Sequence, residues 1–294
     1  MSHFEIFTAS TEEKNWAARL LSGTEPWISL GISQEKIRES CHNPEHEVYI
    51  AHRQGKACGA IIIHPKGVAG SPYIKSIAVD NEFRNMGIGA ALIHFTEKLF
   101  QTKARYLFLC VSSFNTRAQA LYEKLGFTVV VHADQFFPGG LQIAVETGAV
   151  SADHLETTTD DDIRLLAGCS VIPIALPGAS LGLGTGFAPA RKILNAGASL
   201  VIASDWNPGS APMGNLLMQA AILGIFEKLT MAETQAAITC RAAPALHLND
   251  RGVIKPGMMA DFIAFPCADY REILYNQGGM NPSQVWKRGR RVRG

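Results

Sequence analysis

The strongest constraint on the fold of this chain is a change of pattern near residues 127–132. Beyond that point short apolar runs such as Ser199–Ser204 alternate with apolar, alanine-containing helical segments such as Met213–Lys228. This alternation is typical of βα units around a parallel sheet. Residues 1–127 instead mix polar helical stretches with short strands. The chain is therefore predicted to be mixed α/β, with one domain over residues 1–129 and a second over residues 130–294.

Composition supports two folded domains and excludes several classes of protein. Of the 294 residues 47% are hydrophobic and 18% are charged, which is enough apolar material for two ordinary cores. The formal net charge of +1 gives no field that would favour nucleic acid, and no apolar run is long enough to cross a membrane. We expect no signal peptide, and the six cysteines form no CxxC motif, so a reduced, cytoplasmic setting is predicted.

Local patterns place most elements of the N-terminal half. Apolar alternation predicts strands, amphipathic spacing predicts helices, and Gly126 marks a helix end. The predicted strands are Glu47–Ala51, Ala57–His64, Tyr73–Val79 and Tyr106–Val111, and the predicted helices are Ile88–Phe100 and Asn115–Leu125.

A glycine-rich turn between a strand and a helix is the first motif with chemical content. It runs Arg84-Asn85-Met86-Gly87-Ile88-Gly89-Ala90. Small residues at a helix N-terminus let backbone N–H groups approach a phosphate, which the helix dipole also favours. By itself the motif is more often a tight turn without a ligand, and it matches neither a Walker loop nor the G-x-G-x-x-G fingerprint.

The turn and the elements around it resemble the GNAT N-acetyltransferase superfamily over about residues 3–127. The motifs that carry the resemblance are the strand Ser76-Ile77-Ala78-Val79-Asp80, the R-x-x-G-x-G turn and the downstream Asn115 … Leu121-Tyr122-Glu123-Lys124-Leu125-Gly126-Phe127. The resemblance implies that amides from Arg84 to Ala90 hold the pyrophosphate of acetyl-CoA. It also implies that the strand Ile77, Ala78 and Val79 receives the pantetheine arm and that Asn115 lies along the cofactor.

The same resemblance implies that Tyr122 protonates the leaving thiolate. A phenol with an ordinary pKa of about 10 is protonated near neutrality and can act as an acid. The alternative is a tyrosine that only covers the core. No general base can be assigned, since each candidate is more often a solvated or structural group. The candidates are Glu47, Asp80, Glu82, His46, His52 and His64.

A second constellation follows the pattern change. His132, His154 and Asp205 each stand at the end of an apolar, strand-like run. In βα barrels catalytic residues lie at that end of the strands, and histidine with aspartate suits a divalent metal and its activated water.

These segments closely resemble the C-terminal half of imidazolonepropionases, amidohydrolase-superfamily enzymes of histidine degradation. The matching motifs are VVHADQF, GGLQIAVETGAVSADHLE, IPIALPGAS, ASDWNPGSAP and GVIKPGMMADFIAF. The resemblance implies His132 and Asp205 as metal ligands and His154 as a catalytic residue beside the reacting water. It further implies substrate contacts from Gln135, Asn207, Gly209 and Ser210.

This chain resembles only part of such an enzyme. Intact members carry an H-x-H pair on the first barrel strand, and no H-x-H occurs among the nine histidines here. Two expected protein ligands are fewer than the three that a catalytic zinc usually keeps, so any zinc or iron is expected to bind weakly. Four βα units also make only part of a barrel, and its two open edges favour association between copies of the chain.

The junction can be interpreted in two ways. An acetyltransferase of this superfamily needs two more strands after its last helix, and Thr128–Ala133 with Leu141–Glu146 could supply them. The same residues match a strand and a helix of the amidohydrolase barrel, and periodicity does not separate the alternatives over such short runs.

The combined prediction is a GNAT-like mixed sheet with flanking helices, followed by a partial amidohydrolase-type barrel. The predicted activity is acetyl-CoA-dependent acetylation of an amine, either a small molecule or a protein N-terminus, without nucleic-acid or membrane partners. The alternatives are an imidazolonepropionase-type hydrolase, inactive without its metal strand, and a non-catalytic recombination product that self-associates.

Overall fold

The computed structural model describes residues 4–68, 70–112, 114–207 and 209–293. The chain divides into two compact units, Met1–Phe127 and Thr128–Gly294. We call them the N-terminal unit and the C-terminal unit. Within the described residues no helix is long and apolar enough to cross a membrane.

A five-stranded mixed sheet forms the centre of the N-terminal unit, in the order β1-β2-β3-β4-β5. Its strands pair antiparallel up to β4, whereas β4 and β5 pair in parallel and only at Tyr73↔Phe108 and Ile74↔Leu109. The two strands diverge beyond these pairs and leave an opening in the sheet. The strands are β1 Glu5–Thr8, β2 Glu47–Arg53, β3 Lys56–Val68, β4 Ser71–Val79 and β5 Phe108–Leu109.

Helices cover both faces of this sheet because side chains alternate along its strands. Ile62 packs with α1 and α2 on one face, while Ile61 and Ile63 pack with α3 and α4 on the other. The helices are α1 Thr11–Ser22, α2 Gln34–His42, α3 Ile88–Phe100 and α4 Thr116–Lys124, with a 3₁₀ turn at Asn81–Phe83. The predicted helix Ile88–Phe100 has the observed bounds.

A four-stranded parallel sheet, ordered β6-β7-β8-β9, forms the centre of the C-terminal unit. The strands are β6 Val130–Ala133, β7 Ser151–His154, β8 Ile172–Ala175 and β9 Val201–Ile202. The helices are α5 Gly140–Glu146, α6 Asp160–Ala167, α7 Pro177–Leu183, α8 Ala190–Asn195, α9 Leu216–Phe226, α10 Met231–Ala237, α11 Ala242–Ala245 and α12 Arg271–Tyr275. A small antiparallel sheet contains β10 Phe262–Ala264, β11 Gln284–Lys287 and β12 Arg290–Arg293.

The predicted fold class is confirmed, and the parallel sheet stays open across the part of the chain that the structure describes. The junction belongs to the C-terminal unit, because Val130–Ala133 pairs in parallel with Ser151–His154. Of the two alternatives for Leu141–Glu146, a strand or a helix, the structure has the helix, Gly140–Glu146. The predicted strand Tyr106–Val111 forms a ladder only at Phe108–Leu109.

Candidate active site and partial metal site

The turn between β4 and α3 presents free backbone N–H groups to a groove. Gly87 precedes the helix with φ of +83°, in the left-handed region that favours glycine, and it makes no side-chain cap. The first helical hydrogen bond of α3 runs from the Ala91 N–H to the Gly87 carbonyl at 2.9 Å. The amides of Ile88, Gly89 and Ala90 precede this bond and have no acceptor in the preceding turn of the helix. They suit a bound anion.

A cavity of about 370 Å³ lies along this turn. Arg117, on α4, adds positive charge, and its guanidinium donates to Asn85 Oδ1 at 2.8 Å. Arg117 lies outside the glycine motif, and no sequence pattern marks it as a binding residue. Met86 lies beside the Arg53 guanidinium instead of in the cavity wall. The other predicted cofactor-binding residues line the cavity: Ile77, Ala78, Val79, Arg84, Asn85, Gly87, Ile88, Gly89, Ala90 and Asn115.

A second cavity, of about 310 Å³, occupies the opening between β4 and β5. It shares wall residues with the first cavity, including Glu25, Asn115 and Tyr122. Asn115 begins α4, and its side-chain oxygen accepts from the Ala118 N–H at 3.3 Å. The two cavities therefore adjoin where Asn115 and Tyr122 stand. We call the first the donor cavity and the second the acceptor cavity.

Tyr122 packs in the core of the N-terminal unit and also lines both cavities. It is only 9% exposed and its ring lies 5.9 Å from that of Phe127. Burial raises the pKa of the Tyr122 phenol above its ordinary value, so the hydroxyl keeps its proton throughout the physiological range. A protonated phenol between two adjoining cavities can donate a proton to a group bound there.

The carboxylates considered as general bases do not line either cavity. Glu82 accepts from Lys56 Nζ at 2.7 Å, Asp80 accepts from the Glu82 N–H at 3.0 Å, and Glu47 accepts from the Tyr49 hydroxyl at 2.8 Å. These candidates are engaged elsewhere. The one acidic residue in the described wall of both cavities is Glu25, which no motif marked.

The histidines considered as bases are also placed elsewhere in the unit. His46 Nδ1 lies 2.8 Å from the Ser40 carbonyl, His52 Nε2 lies 2.9 Å from Glu13, and His64 Nε2 lies 3.9 Å from Glu45. None of the three histidines lines a cavity. Each of these histidines contacts another protein group and lies away from the cavities in which a substrate could bind.

In the C-terminal unit the structure brings His132 and His154 together. His154 is the last residue of β7 and His132 is the last but one of the neighbouring strand β6, and His132 Nδ1 lies 2.9 Å from His154 Nε2. His132 is exposed whereas His154 is 2% exposed. His154 and Asp205 have positive φ angles, +84° and +46°, which are unusual for side chains with a Cβ and are concentrated at functional sites.

Glu156, the last residue of the motif that contains His154, is a buried acidic residue to which no role was assigned from the sequence. Glu156 Oε1 lies 3.7 Å from His154 Nδ1, and both side chains are almost fully buried. The Ser180 hydroxyl donates to Glu156 Oε1 at 2.7 Å. Next to His154 in the chain, Asp153 accepts from the Ser151 hydroxyl, and burial raises the Asp153 pKa.

Most of the residues predicted to contact the substrate of the C-terminal unit hydrogen-bond to one another within one loop. Asn207 Oδ1 accepts from the N–H groups of Gly209 and Ser210 at 2.8 and 2.9 Å, and Asn207 Nδ2 donates to the Asp205 carbonyl at 2.6 Å. Gln135 follows the buried Asp134 and is itself half-buried. Pro208, within the same motif, lies outside the described residues.

The residues present do not fit a complete metal site. Across the described ranges, no group of three or more histidine, cysteine, aspartate or glutamate side chains could hold a metal ion. His132 and Asp205 offer two donors, and the Nδ1 atom of His132 already faces His154. A catalytic zinc usually needs three protein ligands.

Two family models match the chain and meet near the boundary between the units. The acetyltransferase (GNAT) family matches residues 13–127, and the amidohydrolase family matches residues 139–293. The second match covers more than half of the chain. The chain belongs to the amidohydrolase family. Its N-terminal unit is a GNAT-type domain, so the predicted fusion of the two families is confirmed.

Curated relatives of this chain are imidazolonepropionases. The chain is 40% identical to those of Deinococcus deserti over 174 residues and of Chloroflexus aggregans over 171 residues. These matches cover 59% and 57% of this chain but only 44% and 40% of the relatives. The chain therefore spans less than half the length of the curated relatives it matches.

Solved structures share the fold at low sequence identity. An adenosine deaminase from Xanthomonas campestris with bound zinc has a TM-score of 0.56 at 21% identity, covering 69% of this chain and 56% of its own. Atrazine chlorohydrolase TrzN from Arthrobacter aurescens TC1, complexed with zinc, has a TM-score of 0.55 at 15% identity, covering 69% and 55%. At these identities the similarity concerns the fold.

Proposed function

We propose that the N-terminal unit is an acetyl-CoA-dependent N-acetyltransferase. The observation that carries the proposal is the junction of the donor and acceptor cavities at Asn115 and Tyr122. One cavity offers helix N-terminal amides and arginines to a phosphate-bearing donor. The other lies in the opening of the sheet and can hold an amine.

The residues of the donor cavity fit acetyl-CoA. Among the described residues, apart from Gly87 and its two chain neighbours, no heavy atom lies within 4 Å of the position that a Cβ on Gly87 would occupy, so a pyrophosphate has room beside the amides of α3. Arg84 and Arg117 add positive charge to the same wall. Acetyl-CoA, when bound, supplies an activated acetyl group as a thioester. The unpaired side of Ile77–Val79 is free to hydrogen-bond the pantetheine arm.

Tyr122 is proposed as the general acid of the transfer. Its hydroxyl donates a proton to the departing sulfur, because burial keeps the phenol protonated and its ring borders both cavities. Asn115 lines the same junction and is proposed to orient the donor.

The test of this function is direct binding of acetyl-CoA to the full chain. Isothermal titration calorimetry should give one site per chain, and acetyl-CoA should raise the thermal midpoint of the N-terminal unit. Desulfo-CoA, which keeps the pyrophosphate, should bind, whereas pantetheine alone should bind far more weakly. Absence of acetyl-CoA binding would overturn the proposal.

We propose that the C-terminal unit is not an active imidazolonepropionase. Two candidate ligands, His132 and Asp205, are too few to hold a catalytic metal tightly. The open edges of β6 and β9 in its described sheet support association between copies of the chain.

A further inference from the structure

Glu25 occupies an unusual place in the N-terminal unit. It lies in the connection between α1 and α2 and lines both the donor and the acceptor cavity. Its Oε2 atom accepts from the Ser29 N–H at 3.2 Å. Glu25 is an exposed residue, and this bond ties its carboxylate to its own loop.

The acceptor cavity combines that single carboxylate with several apolar wall residues. Trp27, Leu30 and Tyr73 line it together with Glu25. Trp27 is half-buried and packs against the core on the α1 and α2 side of the sheet. Apolar residues beside one negative charge suit a compact cation with an apolar body.

We infer that Glu25 binds the acceptor and takes its proton, and that the acceptor is a small primary amine with an uncharged apolar body. This inference rests on the proposed acetyltransferase function. The ammonium group of the acceptor would lie at Glu25, where the two cavities adjoin, and the apolar body would lie against Trp27 and Leu30.

Glu25 and Tyr122 together account for every proton that moves in the acetyl transfer. The ammonium first releases one proton to solvent through Glu25, which leaves a nucleophilic nitrogen. The nitrogen then bonds to the acetyl carbon as the carbon–sulfur bond breaks, its next proton moves to the Glu25 carboxylate, and the sulfur takes the phenolic proton of Tyr122. Glu25 returns its proton to solvent and Tyr122 regains one. The products are an amide, a free thiol and one proton in solution.

The acceptor cavity contains a second charged residue, a lysine. Lys75 also lines the acceptor cavity, at an irregularity of β4 where the register with β3 shifts. An acceptor with a carboxylate could reach this lysine. We commit to an amine without a carboxylate because the wall residues that follow Glu25 in the chain, Pro26, Trp27 and Leu30, are apolar.

The experiment compares Glu25→Gln with Glu25→Asp and a matched control, Glu35→Gln. Glu35 is an exposed carboxylate of α2 that pairs with Arg38 and lies outside both cavities. The glutamine can still accept from the Ser29 N–H, so it removes the charge and leaves the loop bond. The probe is phenethylamine, and its binding to the full chain is followed by tryptophan fluorescence with Trp27→Phe as the signal control.

We expect Glu25→Gln to weaken phenethylamine binding about tenfold or more and to lower kcat/KM about 10²- to 10⁴-fold, with partial recovery in Glu25→Asp. Acetyl-CoA affinity by calorimetry should stay unchanged in all three variants, which also shows that they fold. Normal amine binding and turnover in Glu25→Gln would overturn the role of Glu25 while leaving the acetyltransferase intact.

A second probe tests the acceptor class. Phenylalanine, which adds a carboxylate to the same body, should bind more weakly than phenethylamine. Tighter binding of phenylalanine, lost in Lys75→Met, would overturn the class proposed here. If wild-type protein binds no acetyl-CoA, the proposed function itself fails.

Discussion

His132 Nδ1 and His154 Nε2 face each other at 2.9 Å across the ends of two neighbouring parallel strands. One ring must donate its N–H to the other at this distance. The two hydrogen-bonded nitrogens are therefore not both available as metal ligands. On the His132 ring, Nε2 is the nitrogen outside this hydrogen bond. The pair keeps the strand-end arrangement of an amidohydrolase site without a complete ligand set.

Metal content and hydrolysis should reflect this incomplete site. We expect clearly less than one zinc or iron per chain by elemental analysis, and no measurable consumption of imidazolonepropionate. The reason is that two ligands leave most coordination positions to water. One tightly held metal per chain, with turnover lost in Asp205→Ala, would show that the C-terminal unit is the active half.

Gly87→Glu should abolish acetyl-CoA binding by calorimetry. The new side chain places a negative charge beside amides that suit a pyrophosphate. Gly126→Glu is the matched control, because Gly126 has the same φ of +83°, equally open surroundings and no place in either cavity wall. The control shares the backbone strain and should keep its affinity; equal loss in both variants would attribute the effect to strain alone.

Tyr122→Phe should lower turnover about 10- to 1000-fold with little change in acetyl-CoA affinity, because a general acid acts in the transition state. Tyr49→Phe provides the control, since Tyr49 donates to Glu47 and lies outside both cavities. Because burial raises the Tyr122 pKa, we expect no loss of rate from its ionisation up to about pH 10. Full turnover in Tyr122→Phe would leave Tyr122 a packing role only.

Acid should remove one stabilising contact of the C-terminal unit in a defined pH window. Arg191 donates to both carboxylate oxygens of Glu233, at 2.8 and 3.0 Å, and this pairing with the Thr230 backbone bond lowers the Glu233 pKa to about 2. The folded pKa lies below the unfolded value. The stabilisation is therefore present above about pH 4.5 and declines as the pH falls towards about 2.

Glu233→Gln should accordingly cost about 1 kcal/mol of unfolding free energy at pH 7, and the difference should shrink towards pH 2 in urea titrations. The control is Asp160→Asn, whose partner Lys192 and own carboxylate are each about two-thirds exposed, so a smaller difference is expected. A Glu233→Gln effect that is constant with pH would exclude the ion pair as its cause.

Several features followed from local sequence alone. The glycine turn and the helix Ile88–Phe100 could be placed because left-handed glycine, helix periodicity and a helix start are encoded within about a dozen neighbouring residues. The histidines His132 and His154 could be placed at strand ends for a similar reason. The fusion of two families followed from motifs in order along the chain.

Other features depended on which distant segments meet. Thr128–Ala133 has the same apolar pattern whether it completes one sheet or begins another, and only its pairing with Ser151–His154 decided between them. Glu25 belongs to no motif, and it lines the same cavities as Tyr122 because a loop between two helices borders the opening between β4 and β5. Sequence determined the local elements and their families. Tertiary structure decided which sheet the junction joins and which acidic residue lines the cavities, because strand pairing and cavity walls are made by residues far apart in the chain.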